Sequence, residues 1–210
     1  LTFAIATLVS LDSGTVYGLT VQMMGVAFMI YVGMGTATSV RVAERFGRGD
    51  AVGVREASRL GVVASTLLGL ILATALILLR DPIAVTWLNG SEVASEGAHL
   101  VPQLSLMLAA VAFVTLFDGL QAVGSMALRA QGGVWIPTVI HVGSYVFVML
   151  PLCWWLALHT SYGVWGVIIG ISIASIVAGV GQVLALEIRT TRIARFGLPK
   201  DAQASVVVGH

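Results

Sequence analysis

Charged side chains are scarce in this chain: Asp, Glu, Lys and Arg make up 10% of its 210 residues, against 58% hydrophobic. Soluble domains carry about 25% charged residues, and a mean hydropathy of +0.97 excludes a water-soluble globular fold. Cysteine is almost absent. Cys153 stands alone, which excludes a disulfide or a multi-cysteine metal site within the chain. Catalytic motifs are missing as well. No His-Glu-x-x-His, Gly-x-Ser-x-Gly, P-loop or pair of acids on one helix occurs, so the chain is not expected to be an enzyme or an ATP-driven pump, and no cofactor is expected. A basic face of the kind that reads phosphates is lacking too, because the arginines sit beside the ends of apolar runs; nucleic acid is therefore excluded as a partner. No start Met or charged n-region precedes the first apolar run, so no signal peptide is read. Residues 1–11 are too short for a ~30 Å hydrocarbon core, which needs about 20 residues, and are expected to be the end of a helix that starts upstream.

What is present is a series of long apolar runs. Full spans are expected at about residues 16–40, 60–79, 98–128, 135–158 and 163–186. Asp12-Ser13-Gly14-Thr15 predicts a turn before the first of them. The stretch from Arg41 to Arg59 holds five arginines and is expected to be a loop with at most a helical turn on the membrane surface. The stretch from Arg80 to Gly97 is expected to be a second long loop. Gly18, Gly25, Gly33 and Gly35, and the Gly166/Gly170 and Ser175/Gly179 pairs, predict close helix packing in lipid. Pro151 is deep enough in its span to kink it. The tryptophans Trp87, Trp135, Trp154, Trp155 and Trp165 fall near span ends, as in an aromatic belt.

Basic residues are shared unequally among the connections. Five lie between Arg41 and Arg59, one at Arg129 and four after Glu187, which is ten of the eleven Lys and Arg. With five alternating spans, all three stretches fall on one side, which the positive-inside rule makes cytoplasmic. Residues 1–195 thus read as one transmembrane unit and residues 196–210 as a mobile cytoplasmic tail. The fold class is an all-α polytopic transmembrane helix bundle, with membrane lipid as a partner and a plasma (bacterial inner) membrane location.

One carboxylate stands inside an apolar run. Asp118 sits in Leu116-Phe117-Asp118-Gly119-Leu120-Gln121-Ala122-Val123-Gly124-Ser125. A charge at membrane depth costs about 3 kcal/mol on insertion scales, so such residues face a bundle interior or an aqueous cavity. At ~100° per residue Thr115, Asp118, Gln121 and Ser125 share one narrow arc, a polar stripe. Removing a carboxylate from water favours its protonated form, and a cation can compete with that proton. Asp118 is therefore the candidate cation or proton site. Gln121, Ser125, Thr115 and Tyr145 are candidates to line its cavity, and for Gln121 and Ser125 simple interhelical hydrogen bonds remain open. His141 is expected at the interface, and no metal beyond Na⁺ at Asp118 is expected.

Two segments resemble a known family. Ser39-Val40-Arg41-Val42, preceded by a Gly-containing apolar run and followed by Gly47-Arg48-Gly49-Asp50, is similar to the eighth helix and following loop of the multidrug and toxic compound extrusion (MATE) transporters. Asp118-Gly119-Leu120-Gln121 with Leu128-Arg129-Ala130-Gln131-Gly132 resembles their tenth helix. The resemblance runs from about Leu1 to Arg195 and implies one six-helix lobe, helices seven to twelve, with the first helix truncated. It implies cation-coupled antiport (Na⁺ or H⁺) that exports amphipathic organic cations or drugs. It also implies a first lobe as partner and a helix-seven acid, absent here, that works with Asp118. Within transport the alternative is a lipid-linked saccharide flippase of the same superfamily; outside it, a non-transporting truncated membrane subunit.

Overall fold

The computed structural model describes residues 2–9, 11–89 and 98–198. Every regular element in it is helical. In order they are α1 (Thr2–Val9), α2 (Leu11–Gly47), α3 (Ala51–Leu78), α4 (Arg80–Asn89), a 3₁₀ turn (Ala98–Leu100), α5 (Val101–Ala130), α6 (Trp135–Val142), a π-helical segment (Gly143–Met149), α7 (Leu150–Leu158) and α8 (Val164–Phe196). Among the described residues five stretches are long and apolar enough to cross a membrane: Gly14–Gly47, Ala51–Leu78, Val101–Ala130, Trp135–Leu158 and Val164–Phe196. The helices outrun the apolar runs that announce them, because backbone hydrogen bonding continues through polar residues once a helix is nucleated.

Helix α5 is the axis of the bundle, packed against α2, α3 and α8. It starts with Pro102 in its first turn, where a missing N–H leaves no bond unmade. It ends at a left-handed glycine, Gly132 (φ 76°), after which Gly133 N–H returns to the Leu128 carbonyl at 3.1 Å. Leu104, Met107, Leu108 and Val111 of α5 anchor a core shared with α2, α4, α7 and α8. Glycines let α7 and α8 meet: a Cβ on Gly166 would lie 2.5 Å from the Leu156 carbonyl carbon, and one on Gly170 would lie 2.6 Å from Cys153 Sγ.

Several sequence expectations are corrected. The stretch Arg41 to Arg59 is not a loop: α2 runs on to Gly47 and α3 starts at Ala51, leaving three residues between them. Asp50 makes this tight turn possible. Its Oδ1 accepts the Gly53 N–H at 2.8 Å and caps α3, while its other oxygen takes a 3.0 Å bond from Arg45. The turn expected at Asp12 to Thr15 is the first turn of α2, and the segment after Arg80 is helical to Asn89. Residues 90–97 and 199–210, the rest of the second expected loop and most of the expected mobile tail, lie outside the described residues. Gly25 and Gly33 pack against nothing within 4 Å, so the close-packing expectation holds on α2 only at Gly35, beside Met126, and at Gly18, beside Phe3. Trp135, Trp154 and Trp155 point outward as a belt requires, whereas Trp87 and Trp165 lean on the core.

The basic ends converge. Glu187 on α8 accepts from Arg55 Nη2 at 2.9 Å and from Arg59 Nε at 3.0 Å, both on α3. Arg189 donates to the Gln131 carbonyl at the end of α5 at 2.6 Å. The three arginine-bearing stretches therefore meet at one end of the bundle.

Candidate functional site

Asp118 sits midway along α5 on the side turned toward α8, with 8% of its surface exposed. Ser175 of α8 donates to its Oδ1 at 3.0 Å. Among the described residues no salt bridge reaches this carboxylate. One turn along, Gln121 Oε1 accepts from the Tyr145 hydroxyl at 3.1 Å, and that hydroxyl lies 3.4 Å from Ser175 Oγ. Asp118, Ser175, Tyr145 and Gln121 thus form a chain of polar contacts spanning three helices.

Local backbone chemistry places Tyr145. Pro151 has no N–H, and its ring would clash with the carbonyl four residues back in a regular helix. The chain widens to π geometry over Gly143–Met149, where Leu150 N–H bonds to the Tyr145 carbonyl, five residues back. Such wide turns shift the side-chain register and recur at functional sites. The expected kink at Pro151 thus takes the form of a π segment just ahead of it.

These groups open onto a cavity of about 370 Å³ between α1, α2, α5, α6, the π-helical segment and α8. Its polar lining includes Asp118, Gln121, His141, Tyr145 and Ser175, and Met24, Phe28 and Met149 supply apolar wall. Gly25 also lines it, which accounts for the open space beside that glycine. The Thr2 end of α1 closes one side, held by a 2.8 Å hydrogen bond from Tyr17. His141 lies against Tyr145 with ring centroids 4.9 Å apart and the planes tilted by 32°. An apolar chamber with one uncompensated carboxylate can hold a cation in exchange for a proton and give a flat organic cation an apolar surface.

Of the stripe residues, Asp118 and Gln121 line the cavity, and the further candidate Tyr145 lines it too. Thr115 and Ser125 do not: Thr115 donates to the Ala112 carbonyl at 2.8 Å, and both side chains are buried. Ser175 was expected only as a small packing residue; its hydroxyl proves to be the hydrogen-bond partner of Asp118. His141, expected at the interface, faces the cavity. On the opposite flank, Tyr31 of α2 is fully buried against Gly119, where a Cβ would come within 2.5 Å of its ring. No signal in the sequence paired either Ser175 or Tyr31 with α5.

Comparison with known proteins adds the lineage. The MatE family model matches residues 1–155. The chain is 34% identical over 170 residues to the probable multidrug resistance protein NorM of Bradyrhizobium diazoefficiens, covering 81% of this chain and 36% of that protein. It is 30% identical over 165 residues to the probable NorM of Caulobacter vibrioides, covering 77% and 33%. The chain therefore spans about a third of the length of these curated relatives. Among solved structures, an inward-facing multidrug resistance MATE family transporter of the MOP superfamily superposes with a TM-score of 0.82 at 16% identity, covering 93% of this chain and 44% of that one. The eukaryotic MATE transporter AtDTX14 superposes with a TM-score of 0.76 at 21% identity, covering 92% and 44%. The two sequence segments around Arg41 and Asp118, the helical architecture and these matches agree, and the chain is an integral membrane protein belonging to the MatE family.

Proposed function

We propose that this chain forms the carboxy-terminal lobe of a secondary transporter that exports amphipathic organic cations in exchange for Na⁺ or H⁺, with Asp118 as the coupling carboxylate. The observation that carries this is the carboxylate's setting: it is buried, held among the described residues by Ser175 and turned to a largely apolar cavity. Such a group binds a cation or a proton and not both, so occupancy by one drives release of the other. Gln121 and Tyr145 hold the cavity wall in register and offer polar contacts to a bound cation. The partner in this proposal is an amino-terminal lobe facing the α1 side of the cavity, and the names of the NorM relatives support multidrug substrates. The concentration of arginine at one end supports a bacterial inner-membrane location with that end and the carboxy terminus in the cytoplasm.

The test is dye efflux from cells expressing the complete protein with Asp118→Asn. Efflux is expected to fall to background while membrane insertion is unchanged. Efflux at the wild-type rate, at equal expression, would remove Asp118 from the mechanism.

A further inference from the structure

A second cleft, of about 650 Å³, lies far from Asp118, between the first turn of α6 and the last turns of α8. Its walls are of two kinds. Ile136, Ile188 and Phe196 are apolar and open to the surroundings, with Phe196 83% exposed. Arg189 and Arg192 stand beside them, and among the described residues no carboxylate lines the cleft. The acid nearest in sequence, Glu187, is committed to Arg55 and Arg59 on the α3 side.

Arg189 is fixed in place rather than free to sweep. One terminal nitrogen donates to the Gln131 carbonyl at 2.6 Å, and the other lies over Gly133 so closely that a Cβ there would come within 2.5 Å of it. Its Nε is buried with no hydrogen-bond partner among the described residues. Arg192 makes no ion pair among the described residues. Trp135, 80% exposed beside Ile136, sets the depth: outward-pointing indoles lie at the headgroup level of a bilayer.

We infer that this cleft is a binding site for an anionic phospholipid, its phosphate against Arg189 and Arg192 and an acyl chain along Ile136 and Ile188. Basic pockets between transmembrane helices at the headgroup level suit such lipids. A free phosphate would leave the apolar wall uncovered. A second copy of the chain would bring more arginine to this face, because nine arginines among the described residues belong to stretches that meet at this end. The site is independent of coupling at Asp118.

The test uses the full chain purified in mild detergent and native mass spectrometry with phosphatidylglycerol or phosphatidylcholine of matched acyl chains. Retained adducts are expected to favour phosphatidylglycerol. Arg192→Gln, an exposed change that spares the fold, should weaken that preference about fivefold, matching ~1 kcal/mol per basic residue beside an anionic lipid surface. Arg189→Gln should add a similar loss, Arg41→Gln on another face should change nothing, and excess inorganic phosphate should leave the adducts intact. Equal retention of both lipids, an unchanged preference in Arg192→Gln, displacement of the lipid by inorganic phosphate, or adducts that form only after removal of residues 199–210 would each overturn the inference.

Discussion

Helices α3 and α5 are both long and apolar, yet they differ widely in burial. The most apolar stretch of α3 has a mean hydropathy of 2.4 and is 22% buried; that of α5 has 1.9 and is 61% buried. Along α3, Leu60, Val63, Leu67, Leu70 and Ile71 are exposed, while the small residues Gly61, Ser65 and Gly69 face inward. Along α5, Thr115, Asp118, Gln121 and Ser125 are buried. In a bilayer the surroundings are as apolar as leucine, so burial no longer follows hydrophobicity. It follows the need of polar groups for partners and of backbones for close contact.

The largest expected effect is on the buried carboxylate. Asp118→Asn keeps the shape and removes the charge, and dye efflux by the complete protein should fall at least about a hundredfold if the proposed coupling role holds, the scale set by loss of a positioned acid or base. A charge moved to the other helix tests the converse. Leu70→Arg on the exposed side of α3 should cost about 3 kcal/mol on insertion scales, read as loss of membrane-integrated protein; normal integration would mean that this surface does not face lipid.

Truncations without charge come next. Leu104→Ala in the core beneath α5 should lower stability by about 2–5 kcal/mol, against no more than ~0.5 kcal/mol for Leu70→Ala. Thermal melting in one detergent compares them directly, and equal losses would break the contrast between the two helices. Ser175→Ala removes the hydrogen bond to Asp118, worth about 1 kcal/mol. That should shift the apparent pH midpoint of efflux, an effect that mere loosening of the α5–α8 contact would not produce.

The smallest effect concerns the turn that joins α2 to α3, outside the membrane. The Gly53 N–H, followed by Arg45, holds the Asp50 carboxyl below the usual carboxylate range. The cap's contribution is complete above the unfolded value near 4 and is lost as pH falls through the lower folded value. Wild-type melting temperature should drop over that acid window, and Asp50→Ala should flatten the drop. Identical acid limbs for the two proteins would assign the loss to other carboxylates.

Much of this was legible before any coordinates. Low charge and long apolar runs mark a membrane protein, because each buried charge is costly in hydrocarbon, and Asp118 stood out against that background for the same reason. The Gly166 and Gly170 spacing predicted a close helix contact, and one is there. The stretch Arg41 to Arg59 misled because its charges say where hydrocarbon ends and nothing about whether the helix ends. Gly25 misled because a glycine thins a helix equally well for a neighbour or for a cavity.

By itself the sequence determined the medium, the spans, the family and the stripe on α5, all of which follow from composition, helical period and local motif. Only the tertiary structure decided that Ser175 meets Asp118, that Tyr145 reaches Gln121 from a widened turn ahead of Pro151, and that Arg189 and Arg192 flank an apolar cleft. These are contacts between helices far apart in the chain. They depend on how each helix is rotated about its axis against its neighbours, and that rotation is set by close packing summed over the whole bundle, which no single stretch of sequence contains.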